Sequence, residues 1–120
     1  MAALTGACQG AGSGALPTPA PEDVPALVEL GKQLHTSLTC NTCHSLDGSQ
    51  LNGPSFKGMF GSKATLVDGT EVTRDVPYLV QSIRDPAAQM VKGYKPLMNP
   101  YKNLDERSLQ ALVEFIKSVP

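Results

Sequence analysis

The chain has 120 residues, enough for one domain with a modest core and too few for two. Ten basic residues against eleven acidic ones leave a formal net charge of -1, which excludes a general affinity for nucleic acid or for an anionic membrane surface, so any charge recognition must be local. Hydrophobic content is 41%, with three Tyr, three Phe and no Trp, and no apolar run approaches the roughly 20 residues of a membrane-crossing helix.

Residues 1–21, MAALTGACQGAGSGALPTPAP, are built largely from Ala, Gly, Ser, Thr and Pro. Such a stretch cannot bury enough apolar surface to offset its ordering entropy, and it reads as a flexible tether ahead of a single domain at 22–120. Within it, Leu4-Thr5-Gly6-Ala7-Cys8 resembles the end of a bacterial lipoprotein signal, with the Leu one position further from the cysteine than is usual. Cys8 is then either a lipid-attachment residue or a stray thiol in a tail.

From Val24 to Leu38 apolar residues recur near helical period at Leu27, Val28, Leu30 and Leu34; Asp23 is placed to cap this helix and Pro25 suits its first turn. The helix leads into Cys40-Asn41-Thr42-Cys43-His44. Two thiols three positions apart with an imidazole directly following form the attachment sequence of a c-type haem. Each S–H adds across one vinyl group of the porphyrin edge, and the adjacent imidazole then lies beneath the iron. A structural zinc site wants about four ligands, and the other candidates, His35 and Cys8, stand at no zinc spacing. A dithiol redox site wants a βαβ setting, and nothing in the chain reads as parallel strands. One haem c, covalent through Cys40 and Cys43 and ligated by His44, is therefore the expected cofactor. Covalent haem attachment in bacteria takes place outside the cytoplasm. The chain accordingly reads as a mature exported form or a domain excised from a longer one, with Met1 an addition, placed in the periplasm or on the outer face of the cytoplasmic membrane.

From Ser45 to Ser62 the Gly and Pro content rises and periodicity disappears, which predicts a loop. KATLVDGTEVT, residues 63–73, sets two β-favouring stretches either side of Asp68-Gly69, a hairpin whose two central residues tolerate positive φ. Thr73 is placed to cap a second helix through Val76, Leu79, Val80 and Ile83, which Asp85-Pro86 ends. The loop GYKPLMNPYKNL, residues 93–104, follows. Asp105 and Glu106 then open the clearest helix, with Leu109, Leu112, Val113 and Ile116 at i, i+3, i+4 and i+7.

These segments together resemble the class I c-type cytochromes. The resemblance implies a mainly α chain, the class I cytochrome c fold, with the hairpin as a small two-stranded β insertion. NGPSFKGMFG, residues 52–61, resembles the stretch that follows the haem motif in that family, which implies that the Pro54 carbonyl accepts a hydrogen bond from Nδ1 of the axial histidine and fixes its ring. Gly31 and Phe115 resemble the small and aromatic pair at which the terminal helices cross. His35 stands where the family usually has an aromatic and reads as a half-buried packing residue.

Met59, Met90, Met98 and His35 are the candidates for the second axial ligand. By the resemblance Met59 and His35 belong to the His44 side, and Met98 occupies the family's methionine position. Pro96 and Pro100 also restrict the Met98 backbone on both sides, so holding a weak ligand there loses less entropy. Met90, eight positions earlier, is the competitor. Asn99 replaces the proline that often follows the family's methionine.

Over about residues 27–119, the order GKQL, CNTCH, GPSFKGMFGS, TLVDGTEVT, YLVQSIRDP and VKGYKPLMNPYKNL is similar to the cytochrome c domain of subunit II of caa-type haem-copper oxygen reductases. The paired cysteines and histidines of that subunit's copper site have no counterpart here. The resemblance implies an electron carrier rather than an enzyme, monomeric as a domain. It would relay electrons from a quinol-oxidising complex or small donor to a haem-copper oxidase, with membrane contact only through the tether or a fusion. Lys57, Lys63, Lys92, Lys95 and Lys102 flank the expected haem edge as docking residues. The competing reading, a gas-binding or peroxidase-like haem domain, requires an open iron position, which a bound methionine closes.

Overall fold

The computed structural model describes residues 16–120; Cys8 and the rest of residues 1–15 of the expected tether lie outside the described residues. Three helices and a two-stranded antiparallel sheet follow in the order α1 (Val24–Ser37), β1 (Lys63–Thr65), β2 (Glu71–Thr73), α2 (Val76–Arg84) and α3 (Glu106–Ser118). The chain is thus mainly α with a small hairpin.

The two terminal helices form the main packing pair. On α1 the buried residues Leu27, Gly31 and His35 fall on one face at i, i+4 and i+8. On α3 the stripe Leu109, Leu112, Val113 and Ile116 is buried, and Ala111 and Phe115 are buried with it, so this helix is covered on more than one side. Leu27 and Leu109 are 1% and 0% exposed, and each such burial stabilises the fold by about 1.5–3 kcal/mol. Gly31 marks the crossing: a Cβ there would run into the Ala111 carbonyl oxygen and lie 2.6 Å from Phe115 Cβ. Only glycine lets the two backbones approach this closely, which offsets its helix-propensity cost of about 1 kcal/mol. Tyr78, Leu79, Val80 and Ile83 of α2 join Phe56, Met59 and α3 in one core.

The helix starts show how competing local signals resolve. Asp105 caps α3, accepting from Ser108 N. The cap of α2 is Asp75 and not Thr73: the Asp75 carboxylate accepts from Tyr78 N at 3.0 Å. Thr73 is taken by β2, paired with Lys63, and Arg74 N extends that pairing to the Ser62 carbonyl at 2.8 Å. Asp23 makes no side-chain cap on α1, because a 3₁₀ turn at Pro21–Asp23 already carries the helical path and leaves Asp23 in helical conformation. Residues 16–21, assigned to the tether by composition, touch the domain: Leu16 packs on the core and Gln110 Nε2 donates to the Pro17 carbonyl at 2.8 Å.

The hairpin is built with a three-residue loop, not two. Gly69 N donates to Leu66 O at 2.9 Å, Leu66 N to Thr70 O at 2.8 Å, and Gly69 alone takes positive φ, 90°. Asp68 contributes through its side chain, which accepts from Thr70 N. The hairpin then secures the entry to the second loop through a Leu66–Val91 bridge and bonds from Val67 N to Met90 O and Lys92 N to Thr65 O, both 2.9 Å.

Candidate functional site

The chain leaves α1 through Thr39, the one non-glycine with positive φ (61°) among the described residues. A β-branched residue in that region is strained, and the strain is held by bonds on either side, Thr39 N to Thr36 O at 3.0 Å and Thr42 N to Thr39 O at 3.1 Å. Cys40–Thr42 then forms a 3₁₀ turn, and Cys43 N and His44 N both donate to the Cys40 carbonyl, at 3.1 and 2.9 Å. The turn brings both thiols and the imidazole to the lining of one cavity.

The loop after the motif folds back on it in three successive bonds. Gly53 N donates to Cys43 O at 2.9 Å, His44 Nδ1 to Pro54 O at 2.8 Å, and Phe56 N to Ser45 O at 2.8 Å. A carbonyl only accepts, so Nδ1 carries the proton and Nε2 keeps its lone pair, the tautomer a metal ligand needs. Gly53 lies against the ring: a Cβ there would be 2.6 Å from His44 Cε1 and 2.9 Å from Nδ1. Phe56 stacks on the imidazole with centroids 4.9 Å apart and planes inclined by 21°.

Burial holds His44 below the ordinary imidazole range, against the Pro54 carbonyl bond, which favours the charged ring; His35 nearby adds to the lowering. Burial also pushes the Cys40 thiol up, and Cys43 adds to that. Both shifts favour the uncharged forms, the neutral imidazole and the thiol.

The cavity encloses about 410 Å³. Beside Cys40, Cys43, His44 and Pro54 it is lined by Leu79, Ser82 and Ile83 of α2 and by Met90, Met98 and Tyr101 from the segment beyond. Met59 also reaches it, although its side chain is 6% exposed and belongs to the core. His35 does not line this cavity: it is 5% exposed rather than half-buried, and its Nε2 lies 2.9 Å from the His44 carbonyl oxygen. Met98 is half-buried, in a loop secured by Tyr101, whose N–H donates to Ile83 O and whose hydroxyl donates to Leu38 O, each at 3.0 Å. Lys95 and Lys102 stand at the lining, and Lys57, Lys63 and Lys92 are exposed.

A largely apolar cavity of this size, holding two thiols, an imidazole nitrogen with a free lone pair and thioether sulfurs, fits haem: an apolar macrocycle, two covalent anchors and nitrogen and sulfur donors for iron. Gly53, Phe56 and Tyr101 are site-forming residues that pattern reading did not single out. Their signals were slight: a glycine directly before Pro54, an aromatic two positions after it, and an aromatic three positions after Met98.

A search of curated proteins gives no match to the chain. The family model described as Cytochrome c matches residues 28–120.

Proposed function

Since the chain belongs to the cytochrome c family, whose business is haem-based electron transfer, we propose that it is a monohaem carrier in which Cys40 and Cys43 would carry haem c and His44 and Met98 would ligate its iron. The observation that carries this reading is the convergence of both thiols, the Pro54-bonded His44 and Met98 on one apolar cavity. Haem c, when bound, supplies a one-electron iron couple. The two thiols would anchor it, so that it would not be lost between turnovers. The Pro54 carbonyl fixes the His44 ring and strengthens Nε2 as a donor. Leu79 and Ile83 of α2 exclude water from the cavity, and a low-polarity surrounding favours the iron state of lower charge. Met98 would be the weak thioether donor that closes the site, which suits an electron carrier and not a catalyst with an open iron.

The donor in this reading is a quinol-oxidising complex or a small carrier, and the acceptor is a haem-copper oxidase. Support comes from the resemblance of the order of segments to the cytochrome c domain of subunit II of caa-type oxygen reductases. The domain works as a monomer on the periplasmic side of the cytoplasmic membrane, tethered through the segment ahead of Leu16, by lipid on Cys8 or by fusion. Lys95 and Lys102 at the cavity and exposed Lys57, Lys63 and Lys92 form the docking face.

Expression with the haem-attachment machinery tests the covalent claim. After denaturation and extraction with acidic organic solvent the colour should stay with the polypeptide, and substitution of both cysteines should release it. Haem leaving the unsubstituted protein with the solvent would overturn the c-type assignment.

A further inference from the structure

His35 is buried and titratable, and nothing in the reading above uses it. It sits on α1 between two aromatic rings, with centroid distances of 5.3 Å to Phe56 and 5.5 Å to Phe115. Its Nε2 lies 2.9 Å from the His44 carbonyl oxygen, and because a carbonyl only accepts, Nε2 carries the proton. Phe56, which His35 touches, stacks in turn on the His44 imidazole. Phe115, on the other side, is the residue whose Cβ closes on Gly31 at the helix crossing.

The polar groups of His44 show what this arrangement achieves. Its N–H donates to Cys40 O, its Nδ1 to Pro54 O, and its carbonyl accepts from His35, which leaves Nε2 as its one polar atom without a protein partner among the described residues. A phenyl ring at position 35 would fill the space between Phe56 and Phe115 equally well, but it would leave a half-buried carbonyl without its donor. Packing therefore accounts for an aromatic shape at this position and does not account for the donor.

We propose that His35 is a positioning residue for the iron-ligating imidazole, linking the α1–α3 crossing to His44 through the Nε2–H bond to its carbonyl and through Phe56 to its ring. This rests on the reading that His44 ligates the haem iron. The bond fixes the His44 backbone and so determines how firmly its Nδ1–H is held on the Pro54 carbonyl, which in turn sets the donor strength of Nε2.

The test uses the matured holoprotein as wild type, His35→Phe and His35→Gln, the last restoring an N–H donor at similar reach. Exchange of the His44 Nδ1 proton, followed by NMR, should be roughly five- to tenfold faster in His35→Phe, the factor that one neutral hydrogen bond supports. The reduction potential should rise in the same variant, because a less firmly bonded imidazole stabilises ferric iron less. His35→Gln should return both towards wild type. Wild-type exchange and potential in His35→Phe, or equal changes in the Phe and Gln variants, would overturn the proposal. If His35→Phe fails to mature, His35→Gln is compared with His35→Met, which lacks the donor, and identical behaviour of that pair overturns it. Failure of the ligand reading is separately visible: the His44 ring of oxidised wild-type protein would then lack the large paramagnetic shifts of an iron ligand.

Discussion

Around His44 three polar groups have protein partners and the ring lies against Gly53 and Phe56, whereas the loop carrying Met98 is largely exposed and tied down chiefly through Tyr101. One side of the site is preorganised by close packing, and the other is held by a few hydrogen bonds and two prolines. The difference matches the chemistry of the two proposed donors. An imidazole whose strength depends on its orientation gains from a rigid surround, and a thioether, a weak ligand, needs only to be kept within reach. Damage on the first side should therefore cost folding and haem maturation, and damage on the second should alter the iron's surroundings at smaller cost in stability.

The largest expected effect is on the His44 side. Gly53→Ala places a methyl 2.6 Å from His44 Cε1, so the ring must move off the Pro54 carbonyl. A loss of about 1–3 kcal/mol is expected from such overpacking, read as a lower denaturant midpoint, together with a several-fold lower yield of haem-loaded protein. An unchanged midpoint and yield would mean that the packing around the ring is looser than the structure shows.

Met98→Ala tests the other side. It should abolish the weak sulfur-to-iron band in the far red, lower the reduction potential and open the iron to carbon monoxide or cyanide, with a smaller stability loss than Gly53→Ala. If the band survives this substitution and disappears in Met90→Ala, the axial sulfur belongs to Met90, whose backbone is fixed to the hairpin through Val67.

Tyr101→Phe removes the hydroxyl that bonds Leu38 O and should cost about 1 kcal/mol. The far-red band should persist while cyanide binds the oxidised form several-fold faster. Unaltered ligand entry would show that the prolines alone restrain the loop.

The smallest effect concerns docking. Lys102→Ala should slow electron transfer to a haem-copper oxidase a few-fold at low salt and make no difference at high salt, since screening shortens the reach of charge to about 10 Å near 0.1 M. A rate independent of salt would favour an apolar docking patch instead.

The same contrast separates what is legible in the sequence from what is not. α3 and α1 were legible because their apolar residues repeat with the period of the face they bury, and Cys40, Cys43 and His44 because their spacing has one dominant chemical use. The cap of α2 was misplaced because Thr73 and Asp75 are both capping residues two positions apart, and only the pairing of Thr73 with Lys63 decides between them. Asp68-Gly69 fixed where the hairpin turns but not its loop length, which depends on the bonds between Leu66, Gly69 and Thr70. Gly53 and His35 were hidden for a different reason: their roles are contacts with residues 9 positions or more away in the chain, and no local pattern encodes them. Met98 came from the family resemblance and its flanking prolines, since its loop has no periodicity to read.

The most direct measurement is the visible spectrum of the matured protein, oxidised and reduced, with and without carbon monoxide. A closed His44–Met98 site predicts a low-spin haem in both states, a weak far-red band in the oxidised form and no change on adding carbon monoxide to the reduced form. A high-spin spectrum, or a reduced spectrum shifted by carbon monoxide, would contradict a closed His44–Met98 site and indicate an iron open to ligands.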